Sequence, residues 1–205
     1  MAAIRGVIFD CDGVLVDSEP ASNRVLAEVL TEIGLPMTTE ESMATFMGKS
    51  WATNLEIIEQ RLGRPAPPDL TERYRTARDA ALQHVKPVDG ILDALDRIDL
   101  PACVASSGDH GKMTVTLGAT GLLDRFRGRI FSAADLPDGR GKPAPDLFLH
   151  AARQMGWEPR TTAVVEDSEP GVQAGVAAGM HVFGYRIAAP TTFDDMRELP
   201  RLLTP

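Results

Sequence analysis

Two carboxylates, Asp10 and Asp12, stand where the apolar run 7–9 ends, and Gly13 follows them directly. Two negative charges at the end of a buried strand are unfavourable unless a cation or hydrogen-bond donors complete them. Other apolar runs also lead into polar clusters. Ser106-Ser107-Gly108 follows 102–105, Lys142 precedes the helix-length segment 145–156, and Glu166-Asp167 closes 161–165. Their chemistries are complementary. Asp10, Glu166 and Asp167 offer hard oxygen donors of the kind that bind Mg²⁺ with several waters retained. A serine hydroxyl with nearby backbone N–H groups, and a lysine ammonium, suit the oxygens of a phosphoryl group. With Mg²⁺ neutralising the carboxylates, one of them can attack an anionic phosphorus and form an aspartyl-phosphate. The second Asp can then protonate the leaving alkoxide and later take a proton from water. Any one of these clusters alone is ordinary: a lone Asp-x-Asp is usually a turn and a lone lysine is usually solvated. Four of matching chemistry, each at a predicted strand end, point to a single site.

Strand candidates without strict alternation recur at 4–9, 102–106, 128–133, 161–167 and 181–185. Helix-length segments at 110–123, 145–157 and 170–180 separate the later ones. This alternation predicts an α/β fold with a mostly parallel sheet covered on both faces. In such sheets ligands bind at the carboxyl ends of the strands, where all four clusters fall. The stretch 15–86 breaks the rhythm. Segments 19–34, 39–48, 50–63 and 69–85 show 3.6-residue periodicity, with Gly34, Gly48 and Gly63 at the expected helix ends. A helical unit at 15–86, inserted into a core made of 1–14 and 87–205, is the predicted organisation.

The segments "DCDGVLVDSEP", "VASSGD", "GKPAPDLF" and "VVEDSEPGVQAG" together resemble the four motifs of the haloacid dehalogenase-like hydrolase superfamily. The helical insertion is similar to the cap of its phosphatase and β-phosphoglucomutase subgroup. That resemblance implies a Rossmann-like core with an inserted helical cap, and a phosphatase that works with Mg²⁺. It implies Asp10 as nucleophile and Asp12 as general acid/base whose backbone carbonyl also meets the metal. Ser106 and the Ser107 amide would hold the phosphoryl group, with Lys142 bridging it and the nucleophile. Asp167 would bind Mg²⁺ directly, and Glu166 directly or through water. The second Asp favours phosphate esters over carbon–halogen bonds, because haloacid dehalogenases proper lack it.

The expected specificity loop is 46–51, where Gly48 permits a turn and Lys49 is placed to meet a second anionic group on the substrate. The related mutases carry a histidine and an arginine where this chain has Ser22 and Trp51, so hydrolysis is expected over phosphosugar transfer. Ser18 is expected to cap the first helix of the insertion, with Glu19 as a candidate contact for a substrate hydroxyl. A response-regulator-like phosphoacceptor is the rival from another class, but its acidic residues would precede its hydroxyl and lysine, and it has no cap. The net charge of −8 disfavours nucleic-acid phosphate and anionic membrane as partners. No apolar run reaches the ~20 residues of a membrane span. Two cysteines without close spacing, and a start that leads straight into a strand, suggest a cytoplasmic protein. The expected partner is a small phosphate ester, and the expected state is a monomer.

Overall fold

The computed structural model describes residues 3–47, 49, 51–137 and 140–204. The chain divides into two compact units: one runs to Asp17 and resumes at Lys86, and the other is Ser18–Val85. In the first unit, β1 (Gly6–Phe9) and β2 (Val16–Asp17) precede the insertion. The inserted unit holds α1 (Glu19–Glu32), α2 (Thr39–Phe46), α3 (Trp51–Leu62) and α4 (Leu70–Leu82). The first unit then continues with β3 (Lys86–Pro87), α5 (Ile91–Arg97), β4 (Ala102–Ser106), α6 (His110–Ala119) and β5 (Ile130–Ser132). It ends with α7 (Asp146–Met155), β6 (Thr162–Glu166), α8 (Glu169–Ala177), β7 (His181–Tyr185), β8 (Thr191–Phe193) and α9 (Leu199–Leu203).

Six strands form one parallel sheet in the order β5-β4-β1-β6-β7-β8. The chain moves outward from β1 through β4 to β5, then returns to the other side of β1 with β6. That reversal opens a crevice at the carboxyl end of β1, where Asp10 follows Phe9. Successive residues of β1 point to opposite faces, and the two faces have separate cores. Val7 and Phe9 pack with Val104, Val165, Met113 of α6 and Leu95 of α5. Ile8 packs with Cys103, Val164, and Leu147 and Phe148 of α7. Because both faces are covered, β1 and β6 are buried along their whole length, which is why their sequences lack polar alternation.

The two passages between the units are paired with each other. Val16 lies opposite Pro87 and Asp17 opposite Lys86, in antiparallel register. Val14, Leu15 and Val16 are fully buried in the core cluster, so the division falls after Asp17 and before Lys86, rather than after 14 and before 87 as the sequence suggested.

Three features differ from the sequence reading. β8 extends the sheet beyond the strand candidate 181–185, the last one the sequence offers; its Thr-Thr-Phe sequence has no apolar run to announce it. α5 is a short helix that periodicity over seven residues does not distinguish. Ser18 occupies the N-cap position of α1, but its side chain makes no capping bond. Its φ of −94° and ψ of −20° are helical rather than extended, so the hydroxyl is not aimed at the first-turn N–H groups.

Candidate active site

Asp10 leaves the centre of the sheet with its N–H donating to Val165 O at 3.0 Å. One carboxylate oxygen is met by the Lys142 ammonium, which also meets Glu166 Oε1. All three side chains are enclosed: Lys142 is 7% exposed, Asp10 9% and Glu166 0%. Glu166 is held from its other oxygen as well. Oε2 accepts from the Ser168 hydroxyl at 2.8 Å and from the N–H groups of Asp167 and Ser168 at 3.1 and 3.2 Å. The Lys142 ammonium also lies 5.1 Å from the centre of the Phe148 ring, over its face. Burial pushes the Asp10 carboxyl up to about 7, with Lys142 pulling against that and Glu166 and Asp12 adding to it. Burial disfavours the charged form of Lys142, yet the Asp10 and Glu166 carboxylates outweigh it and hold the ammonium above its ordinary range.

Asp12 is approached from a different element. Lys112, in the first turn of α6, places Nζ 2.8 Å from Asp12 Oδ2. Beside them runs the loop after β4. Ser106 is nearly buried, at 2% exposure, and its Oγ accepts from the Gly108 N–H at 3.0 Å. A methyl group added at Gly108 would stand 3.4 Å from Ser106 Oγ, 3.6 Å from Lys112 Cδ and 3.7 Å from Asp12 Oδ2. The same construction at Gly141 reaches Ser107 Oγ at 3.5 Å, which brings the stretch before Lys142 against the serine loop.

Ser132, fully buried at the end of β5, donates from its hydroxyl to Gly108 O at 2.8 Å. Its own N–H donates to Asp135, which pairs with His110 at 2.7 Å. Burial alone would raise the Asp135 carboxyl, but the Ser132 N–H and the His110 ring hold it below the usual range.

Two glycines make room for the acidic groups. Gly13 has φ +78°, and a Cβ there would fall 1.8 Å from Asp167 Oδ2. A Cβ on Gly171 would fall 1.9 Å from the Glu166 carboxyl carbon. Carboxylate oxygens of Asp10, Glu166 and Asp167 consequently lie within 4.8 Å of one another. With Asp12 the cluster has four carboxylates against the ammonium groups of Lys112 and Lys142. That excess of negative charge, offered entirely by hard oxygen donors, fits a divalent cation of the Mg²⁺ type.

The first unit therefore brings together Asp10, Asp12, Ser106, Ser107, Lys142, Glu166 and Asp167. The proposed specificity residues lie in the other unit. Gly48 lies outside the described residues. Lys49 is exposed and turns its ammonium back on Thr45 O at 2.5 Å, across the end of α2. Trp51 stacks on Tyr74 at 4.9 Å between ring centres and donates from Nε1 to Thr71 at 3.0 Å, so it is a packing residue of its own unit. Glu19 accepts from Asn23 Nδ2 at 3.0 Å. Lys112 and Ser132 escaped the sequence reading. Lys112 looks like any solvated helix lysine, although its place one turn after the serine loop was a usable signal. Ser132 is a hydroxyl at another strand end and falls under the same rule that found Ser106.

A family model for a haloacid dehalogenase-like hydrolase matches residues 4–179. The 6-phosphogluconate phosphatase of Escherichia coli is 33% identical over 214 residues, covering 98% of this chain and 96% of that protein. The fructose-1-phosphate phosphatase of the same organism is 32% identical over 186 residues, covering 89% of this chain and 96% of that one. Among solved structures, a haloacid dehalogenase-like protein of unknown function from Agrobacterium tumefaciens matches with a TM-score of 0.87. It is 35% identical and covers 98% of both chains.

Proposed function

Because the chain belongs to the haloacid dehalogenase-like hydrolase family and is a phosphatase within it, we propose that it hydrolyses a small phosphorylated metabolite, a sugar phosphate, through Asp10. The observation that carries this reading is the enclosed Asp10–Lys142–Glu166 arrangement at the reversal point of the sheet. The Lys142 contact fixes one oxygen of Asp10 and holds the nucleophile in place. Attack by the Asp10 carboxylate forms a bond to phosphorus as the bond to the ester oxygen breaks, and Asp12 gives that oxygen its proton. Water then attacks the aspartyl-phosphate, Asp12 takes the water's proton, and cleavage of the phosphorus–Asp10 bond releases inorganic phosphate. Ser106 and the Ser107 N–H hold phosphoryl oxygens in both steps, and Lys142 offsets their charge.

Asp10, Glu166, Asp167 and the Asp12 carbonyl are the groups that would hold Mg²⁺, whose bound charge lowers the repulsion between the carboxylate and the phosphoryl group. The named activities of the relatives, on 6-phosphogluconate and fructose 1-phosphate, support a sugar-phosphate substrate. Hydrolysis is favoured over the mutase alternative because Trp51 is spent on Tyr74 and Thr71, and a buried serine stands at position 22. The test is phosphate release over a panel of phosphorylated metabolites with Mg²⁺, with wild type and Asp10→Asn side by side. Turnover by wild type alone is expected. Turnover by Asp10→Asn at the wild-type rate would remove the nucleophile. Conversion of β-glucose 1-phosphate to glucose 6-phosphate without phosphate release would favour the mutase.

A further inference from the structure

Lys112 is held at three points. Its backbone N–H donates to the N-cap residue Asp109 at 2.8 Å. Its stem crosses the face of Gly108, where a side chain would meet Lys112 Cδ. Its ammonium ends 2.8 Å from Asp12 Oδ2, with the two side chains only 14% and 19% exposed. Exposed ion pairs between mobile side chains contribute little, because both chains must be ordered and water screens the charges. Here the stems are already ordered and water is largely shut out. An ammonium on one carboxylate oxygen also sets the plane of the group.

We propose that Lys112 is a positioning residue for Asp12: its contact at Oδ2 holds the carboxyl group in the orientation from which it exchanges the proton with the ester oxygen and then with water. This rests on Asp12 being the general acid/base proposed above. When Asp12 passes its proton to the leaving oxygen it gains a negative charge, and the Lys112 ammonium is in contact with that charge. Lys142 meets Asp10 and Glu166 instead, so the two lysines divide the work: one attends the nucleophile, the other the proton donor.

The test uses kcat/KM for two aryl esters with Mg²⁺ present. Phenyl phosphate releases a basic phenolate that needs a proton, whereas dinitrophenyl phosphate releases a stable anion that does not. Asp12→Ala is expected to slow phenyl phosphate about 100-fold more than dinitrophenyl phosphate, the usual range for losing a general acid. Lys112→Met is expected to show the same selectivity at about 10-fold, with Lys112→Arg recovering most of it. In the Asp12→Ala background, Lys112→Met should add less than about 2-fold, because the two act as one unit. Inhibition by inorganic phosphate should be unchanged by Lys112→Met. Equal loss on both esters, an additive loss beside Asp12→Ala, or weakened phosphate inhibition would overturn the proposal while leaving Asp12 in its role. If Asp12→Ala itself shows no leaving-group selectivity, the role of Asp12 falls and that of Lys112 with it. Circular dichroism checks folding, and if Lys112→Met does not fold, Lys112→Gln decides through the same comparisons.

Discussion

The two units bury polar groups of different kinds. In Ser18–Val85, every buried polar side chain among the described residues is neutral: Ser18, Ser22, Asn23, Ser42 and Asn54. Ser42 Oγ donates to Asn23 Oδ1 at 3.0 Å, and Asn23 Nδ2 donates to Glu19 Oε2 at 3.0 Å. Of the ion pairs in that unit, Arg24 with Glu28 lies in solvent, and Arg78 is largely covered but pairs with an exposed Asp79. The other unit buries Asp10 and Glu166 outright and closes Lys142 between them. Neutral buried hydrogen bonds fix a packing arrangement at small net gain. Buried charges lose several kcal/mol of hydration each, and a fold optimised for stability alone would replace them with apolar residues. The contrast separates a unit whose polar interior organises packing from one whose polar interior is set out for chemistry.

That difference can be broken in order of expected effect. Asp10→Asn keeps the shape but removes the attacking charge, and phosphate release should fall about a thousandfold or more while the melting curve stays close to wild type. Lys142→Met leaves two carboxylates buried without their cation. Urea unfolding should show a loss of about 3–5 kcal/mol along with the activity. A stability loss as small as that of a surface lysine would mean the charges are better solvated than their burial implies.

The third test is the pH dependence of Mg²⁺ stabilisation. The Asp10 carboxyl, raised from 3.8 to about 7 chiefly by burial, keeps its proton in the fold where the unfolded chain has lost it. Its contribution to the stability of the metal-free protein is therefore full below 3.8 and is lost as pH rises towards 7. Proton and cation compete for the same carboxylate. At fixed Mg²⁺, the rise in Tm should be larger at about pH 8 than at about pH 6. An equal rise at both would place the cation away from Asp10.

Ser132→Ala removes the donor to Gly108 O and should cost about 1–3 kcal/mol. We expect it to appear mainly as a raised KM, because the displaced loop is the one proposed to hold phosphate. Ser42→Ala, the matched change in the helical unit, should cost about 1 kcal/mol and leave turnover of para-nitrophenyl phosphate unchanged. A fall in turnover larger than the fall in stability would erase the distinction between the units.

The sequence was most legible where burial is most complete. β1, β4, β6 and β7 are apolar runs because parallel inner strands are covered on both faces, and the candidate site gathers at the ends of β1, β4 and β6. β8 is short, polar and at the edge, so it has no such signature. The inserted helices followed from 3.6-residue periodicity, but what their polar residues do depends on neighbours from other helices. Asn23 meets Ser42 across nineteen positions, a pairing no local pattern announces. The role of Lys112 was hidden for the same reason: it reaches Asp12 from a hundred positions away. Asp10, Glu166 and Asp167 were visible because strand ends in a parallel sheet converge by topology alone.

The pairing of Val16 with Pro87 and Asp17 with Lys86 has an architectural consequence. From the side of the sheet, the whole of Ser18–Val85 is the loop of one hairpin, leaving and returning on adjacent rungs. A two-residue Asn-Gly turn would close the same rungs, and a foreign helical cassette ending at the same spacing would close them as well. Every strand that places Asp10, Asp12, Lys142, Glu166 and Asp167 would keep its neighbours through that exchange. The doorway at Asp17 and Lys86 is thus a splice point, at which a lineage can trade the helical unit while inheriting unaltered the sheet that carries the carboxylates.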